Sequence, residues 1–247
     1  MPPAPDVFVH FLPAHIPSGA LSGGLAVVVD VLRATTSMIH ALASGAESIR
    51  PCGEIDEAFR LAAEFPQGRA ILGGERQGLP IDGFDFGNSP ASYDEAACRG
   101  KTVIMTTTNG TRAILASLDA DRVFIAAFPN RSATVAALRA DRRPAHLVCS
   151  GTDGRISLED ATLAGSLASS LLAQGYRSGN DEAEIAAGLW SGVTSGAEPL
   201  ADRLARGRGG RRVRSIGLGA DLEDASRIDR FPIVAELYRD PLRIVAL

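Results

Sequence analysis

Residues 103–112 read Val-Ile-Met-Thr-Thr-Thr-Asn-Gly-Thr-Arg, and the segments on either side of its threonines follow different periodicities. Thr102 to Met105 is a β-branched, apolar run behind Gly100-Lys101, the signature of a strand. Ala113, Ile114 and Leu118 then recur at helical spacing. A strand that passes through this polar segment into a helix delivers hydroxyls and backbone N–H groups at one point. The helix N-terminus adds partial positive charge there, and Arg112 adds a two-pronged donor. The expected guest is a phosphate or another oxyanion, cradled by Thr106, Thr107, Thr108, Asn109, Gly110 and Thr111. The competing reading is a capped helix start whose threonines fill a strand end.

The same pattern recurs outward from this stretch. Leu25 to Asp30 (Leu-Ala-Val-Val-Val-Asp) is a continuous apolar run stopped by an acid, as expected of a strand buried on both faces. Arg33, Thr35 and Thr36 follow, then a helix over Ser37 to Ser44. His146 to Cys149 is a strand, followed by a Ser/Gly/Thr/Asp loop and a helix from about Leu158 to Ala173, with Ser157-x-x-Asp160 in the form of a capping box. Further strands are expected at Val7–Phe11, Ala46–Pro51, Gly68–Leu72 and Arg122–Ala127. Further helices are expected at Glu54–Phe65, Ser132–Arg139 (capped by Asn130 or Ser132), Asp181–Trp190 and Glu198–Arg206. The alternation predicts a layered α/β/α fold with a largely parallel sheet and polar βα loops at one edge. Without a low-complexity linker, residues 1–247 read as a single domain. The three strand–loop–helix echoes fit either an internal duplication or the ordinary form of βα units, and the second is favoured.

Two segments resist this pattern. Gly73 to Pro90 is rich in glycine and proline and has the length of a functional loop. Gly207 to Arg214 is a Gly/Arg cluster that reads as a solvated turn, with a patch for acidic ligands as its second reading. Ser215 to Asp229 is ambiguous, and Pro232 to Leu247 reads as a pair of β segments around Arg239-Asp240-Pro241.

Charge and composition exclude several classes. The chain has 29 acidic residues against 25 Lys plus Arg, a net charge of −4, which argues against a general nucleic-acid or anionic-membrane binder. No run of about 18 apolar residues is present to span a membrane. The Met-Pro-Pro-Ala-Pro-Asp start lacks the basic and apolar regions of a signal peptide. Cys52, Cys98 and Cys149 have no metal or disulfide spacing, which suits a reducing cytoplasm. The only lysine, Lys101, precedes a strand, so there is no P-loop.

In a parallel sheet, ligands bind beyond the C-terminal ends of the strands. The polar loops would therefore gather Asp30, Arg33, Thr35, Thr36, Thr106 to Arg112 and Ser150 to Asp160 at one edge. The long loop would add Glu75 and Arg76. Arginines and helix N-termini suit a multiply anionic ligand, whereas carboxylates beside it need a cation between. Asp30, Glu75 and Asp160 with Mg²⁺ would supply one. The expectation is a Mg²⁺-dependent phosphomonoesterase, with Asp30, Arg33, Glu75, Arg76 and Arg112 as its catalytic set. For Asp30 the alternative is an N-cap or a salt bridge to Arg33.

Five segments, in order and spacing, carry a resemblance: Val-Val-Val-Asp-Val-Leu-Arg-Ala-Thr-Thr (27–36), Leu-Gly-Gly-Glu-Arg-Gln-Gly (72–78), Gly-Phe-Asp-Phe-Gly-Asn-Ser-Pro (83–90), Thr-Thr-Thr-Asn-Gly-Thr-Arg (106–112) and Ser-Leu-Glu-Asp (157–160). Together they resemble the 2-phosphosulfolactate phosphatase family. The resemblance implies an α/β, Mg²⁺-dependent acid phosphatase converting 2-phospho-3-sulfolactate and water to 3-sulfolactate and phosphate, a step of coenzyme M biosynthesis, or acting on a related phosphorylated 2-hydroxy acid. It adds Asn88 and Ser89 to the substrate-binding set. Asp30 and Glu75 would hold Mg²⁺, with Asp160 third. Arg33, Arg76 and Arg112 would divide the phosphate, carboxylate and sulfonate charges. The competing function is a non-catalytic sensor of phosphorylated small anions, and a phosphotransferase suffers from the missing nucleotide loop. A homodimer is expected from the habits of soluble enzymes.

Overall fold

Strand and helix alternate from Asp6 onward in the computed structural model, which describes residues 4–247. The opening Met1-Pro2-Pro3, part of the stretch read above against a signal peptide, lies outside the described residues. The first half contains β1 (Asp6–His10), β2 (Leu25–Val29), α1 (Ala34–Ala43), β3 (Ser48–Pro51), α2 (Ile55–Ala62), β4 (Ala70–Arg76), β5 (Leu79–Pro80), α3 (Glu95–Cys98), β6 (Thr102–Thr106) and α4 (Gly110–Ala116). It is followed by β7 (Arg122–Ala126), α5 (Arg131–Asp141), β8 (Ala145–Cys149), α6 (Leu158–Leu172), β9 (Arg177–Ser178) and α7 (Asp181–Thr194). The last part holds α8 (Leu200–Ala205), α9 (Arg208–Ser215), α10 (Ala220–Ser226), β10 (Ala235–Arg239) and β11 (Leu242–Ala246).

The strands form one sheet in the order β5-β4-β6-β3-β11-β10-β7-β2-β8-β1-β9. Side chains alternate across it. Leu25, Val27 and Val29 share one core with Val7, Val9, Phe124 and Leu147, covered by Val135 and Leu138 of α5, by Leu163, Leu167 and Leu171 of α6, and by Ala183 and Ala186 of α7. Ala26 and Val28 face the other way with Val123, Ile125 and Val148, beneath Met38, Ile39 and Leu42 of α1 and Ala113 and Ile114 of α4. Burial on both faces explains why β2 is a continuous apolar run and why β8 is apolar apart from His146, each large apolar side chain contributing about 1.5–3 kcal/mol. The expected α/β/α layering is therefore present.

The centre of the sheet departs from the expected parallel arrangement. The hairpin β10–β11 inserts between β3 and β7 and pairs antiparallel with both. It fills the gap between a β3–β6–β4 group and a β7–β2–β8–β1 group. Glu236 on β10 takes both arms of Arg122 on β7, each at 2.6 Å. A second consequence concerns shape. Four strands separate β6 from β2 in the order, yet Gly110 at the start of α4 lies directly against Ala34 and Asp30. The sheet therefore curls around α1 and α4, and strand ends that are distant in the order converge.

Three local expectations are corrected. Gly207–Arg214 is not a solvated turn: residues 208–215 form α9, with Gly209, Gly210 and Val213 buried. Its glycines permit close approach, since side chains at Gly209 and Gly210 would collide with Glu159 and with the Leu204 carbonyl. The Ser157/Asp160 capping box does not form. Ser157 makes no cap hydrogen bond and pairs instead with the Thr152 hydroxyl at 2.6 Å. The irregular 73–90 segment begins as strand, because β4 continues to Arg76 and turns back through β5.

Candidate active site

Asp30 follows the last residue of β2 and is buried. Its surroundings hold the backbone in place. The Thr35 hydroxyl donates to the Asp30 carbonyl at 2.9 Å and accepts from the Asp30 amide at 3.1 Å. The Thr36 hydroxyl donates to the Val31 carbonyl at 2.7 Å. Gly110 packs so closely that a Cβ there would stand 2.6 Å from the Ala34 Cβ and 2.9 Å from Asp30 Oδ2. The Asp30 carboxyl accepts a long bond from the Ala34 amide, 3.3 Å. Burial first, and the nearby Glu75 charge second, push its pKa up to about 7.

Glu75, near the end of β4, faces the same small cavity. Its Oε2 accepts from the Gly78 amide at 2.6 Å and its Oε1 from the Thr108 amide at 2.8 Å. Arg33 donates from Nη1 to Asp221 Oδ2 at 3.0 Å and from Nη2 to the Gly78 carbonyl at 2.7 Å. Ser89 donates to the other oxygen of Asp221. Asn88 lines the cavity, and its buried Oδ1 has no hydrogen-bond partner. Opposite stand Asn109, Thr152 and, from α9, Gly209, Arg212 and Val213. The cavity is about 30 Å³, room for about two waters. Two buried carboxylates, an amide oxygen without a donor and two arginines converge on this small space.

The family model described as 2-phosphosulpholactate phosphatase matches residues 10–240. The chain belongs to that family. Curated relatives called "Probable 2-phosphosulfolactate phosphatase" include one from Synechococcus sp., 38% identical over 85% of each chain. One from Prochlorococcus marinus is 38% identical over 90% of this chain and 91% of its own. One from Clostridium perfringens is 35% identical over 94% and 93%. Family membership makes the chain a phosphatase.

Within this phosphatase fold the sequence-derived residues separate into three groups. Asp30, Arg33, Glu75, Asn88 and Asn109 line one cavity. Thr35, Thr36, Thr106, Thr107 and Thr111 are buried and spend their hydroxyls on the protein itself. Three of the expected cradle amides are also taken: Thr107 N–H donates to Thr111 Oγ1, Thr111 N–H to Thr107 Oγ1 and Thr108 N–H to Glu75, whereas the Asn109 and Gly110 amides at the start of α4 donate to no protein group among the described residues. These threonines shape the loop, and Thr108 keeps a buried Oγ1 without a partner. Ser89 is committed to Asp221.

Arg76, Arg112 and Asp160 lie elsewhere than expected. Arg76 turns toward the Gly53 carbonyl (3.0 Å) and Thr106 Oγ1 (2.9 Å) and does not line the cavity. Arg112 is exposed and lines a neighbouring cavity with Leu12, Pro13 and Ser150, which shares only Asn109 with the first. Asp160 is buried, with both oxygens occupied. It accepts from Val31 N–H at 2.8 Å, Gly151 N–H at 3.0 Å and Ser150 Oγ at 3.1 Å. It ties the loop after β2 to the loop after β8. Burial, then the Asp30 and Glu159 charges, raise its pKa.

Sequence reasoning missed Arg212, Asp221 and Glu159. Arg212 lay within the Gly/Arg cluster whose second reading was an acidic-ligand patch. Asp221 carried no local signal, and Glu159 lay unremarked within the Ser-Leu-Glu-Asp segment, because their partners Arg33 and Gly209 are distant in the chain.

Proposed function

We propose that this phosphatase is a Mg²⁺-dependent phosphomonoesterase that releases phosphate from 2-phospho-3-sulfolactate, yielding 3-sulfolactate for coenzyme M biosynthesis. The observation that carries this reading is the pairing of Asp30 and Glu75 at one cavity, with the Asp30 carboxyl lifted to about 7. Two carboxylates at an anion site repel the ligand unless a cation lies between. No cluster of three or more His, Cys, Asp and Glu suited to a metal occurs among the described residues. Mg²⁺ has a modest requirement: one or two carboxylates, with water and phosphate oxygens completing its shell. Asp30, Glu75 and the partnerless Asn88 Oδ1 fit that requirement.

When bound, Mg²⁺ supplies charge neutralisation and polarisation of a phosphoryl oxygen. The protein supplies position. Gly78 and Thr108 amides aim Glu75, while Thr35, Ala34 and Gly110 aim Asp30. Arg33, held by Asp221, offers its remaining N–H groups to the transferring phosphoryl group, where charge develops. Asp160 acts as a strut beneath these groups.

The reading carries a cytoplasmic location and a homodimer with it. Three buried, free cysteines suit a reducing compartment. No helix among the described residues is long and apolar enough to cross a membrane. A phosphate-release assay with 2-phospho-3-sulfolactate tests the reaction. Turnover should stop with EDTA and return with Mg²⁺. Asp30→Asn should lower kcat by about a thousand-fold or more with the fold intact, whereas Asp160→Asn should lower the melting temperature more than the Mg²⁺ affinity. Absence of Mg²⁺-dependent release, or near-normal turnover by Asp30→Asn, would overturn the reading.

A further inference from the structure

The substrate of the proposed reaction has three anionic groups: phosphate, carboxylate and sulfonate. The buried part of the site does not balance them. Arg33 is neutralised by Asp221, both being almost fully buried. Arg76 and Arg112 do not line the cavity. The other cation lining it is Arg212 on α9, whose side chain is 33% exposed.

Arg212 reaches across the mouth of the cavity to Asp153, with Nη1 at 3.3 Å from Oδ1 and Nη2 closer to Oδ2. Asp153 lies in the turn between Thr152 and Arg155, beyond β8, and its amide donates to Asn109 Oδ1 at 3.3 Å. Thus one ion pair joins the two walls of the mouth. The helix beneath Arg212 is anchored: Glu159, buried at its N-terminus, accepts from the Gly209 amide at 2.7 Å. The long arginine side chain can therefore swing while α9 stays in place. The Asp153 side chain is 52% exposed, and exposed ion pairs contribute little to stability, whereas separating Arg33 from Asp221 strands a buried charge. An incoming oxyanion displaces a carboxylate far more readily from Arg212 than from Arg33.

We propose that Arg212 is a specificity-determining residue that exchanges Asp153 for the non-phosphate oxyanion of the substrate, sulfonate or carboxylate. The proposal rests on the phosphatase reading above. Asp153 then acts as a placeholder that keeps the guanidinium at the mouth. Steady-state kinetics on three esters tests it: 2-phospho-3-sulfolactate, 2-phospholactate (lacking the sulfonate) and 2-sulfoethyl phosphate (lacking the carboxylate). In the wild type kcat/KM is highest for the complete ester. In Arg212→Gln its advantage over one truncated ester falls by about ten-fold or more, through KM rather than kcat. The truncated ester concerned identifies the group that Arg212 binds. Asp153→Asn lowers KM for the complete ester, because the competing carboxylate charge is gone. Equal loss on all three esters, or an unchanged preference, overturns the proposal. If the wild type hydrolyses none of the three, the phosphatase reading fails instead. Calorimetry with 3-sulfolactate and lactate then decides the role of Arg212, and equal affinities in wild type and Arg212→Gln overturn it.

Discussion

The Arg33 guanidinium donates to the Asp221 carboxylate at 3.0 Å, joining residues 188 positions apart with both side chains buried. Ser89 donates to the same carboxylate, so three separate chain segments meet at one acid. Removing Asp221 leaves Arg33 charged, buried and short of a partner. Asp221→Ala is expected to destabilise the fold by about 3 kcal/mol. Arg33→Met/Asp221→Ala should cost less than the sum of its single substitutions, since the second removes the charge that the first strands. Urea unfolding measures both. A cost below about 1 kcal/mol for Asp221→Ala would show that the pair does not organise the site.

Gly110 sets the distance between α4 and the Asp30 loop. A Cβ there would stand 2.6 Å from the Ala34 Cβ and 2.9 Å from Asp30 Oδ2, closer than packed atoms tolerate. Gly110→Ala must therefore displace Asp30. A displacement of about 1 Å is enough to lower kcat by about a hundred-fold. The same variant should unfold within about 1–3 kcal/mol of the wild type, the usual cost of overpacking. Thermal melts and phosphate release read the two effects separately, and unaltered kcat would mean that Asp30 tolerates the shift.

Stability should depend on pH through His40. Its ring meets Phe231 edge-on at a 5.0 Å centroid separation. Burial chiefly, with help from Arg230 and Arg227 against Asp224, lowers its pKa to about 4, from about 6.5 in the unfolded chain. The unfolded state therefore takes up the proton first on acidification. The stability that rests on neutral His40 is complete above about pH 6.5 and is lost as pH falls toward 4. Asp30 runs the other way: raised to about 7, it favours the fold below about pH 4 and loses that contribution as pH rises through 7. Melting temperatures in EDTA between pH 4 and 8 should show both trends. His40→Met should flatten the acid side alone, and an unchanged acid slope would assign it to other groups, His146 first among them.

Much of this was legible in one dimension because it depends on near neighbours. The buried strand Leu25–Val29 declares itself as an apolar run, and Ala145–Cys149 does so apart from His146. Asp30 and Glu75 follow from the rule that loops beyond parallel strands face a common edge. Local chemistry misled where a distant partner was available. Ser157-x-x-Asp160 has the sequence of a capping box, but Asp160 finds the Val31 and Gly151 amides instead. The Thr106–Thr111 segment looks like an open phosphate cradle, but Glu75 and the threonines satisfy the Thr107, Thr108 and Thr111 amides from within. Arg76 and Arg112 have the right charge, yet their side chains leave in other directions.

Hydrophobic period and strand–loop–helix order, written into the chain itself, determined the layered α/β class and the acids at its strand ends. Tertiary structure alone decided that the β10–β11 hairpin occupies the middle of the sheet and that the sheet curls until Gly110 touches Asp30. It alone brought Arg212, rather than Arg112, to the cavity and set Asp221 against Arg33. The physical reason is that periodicity records what a residue does with its neighbours a few positions away. A buried charge is placed by whichever partner, however remote in sequence, spares it the cost of desolvation.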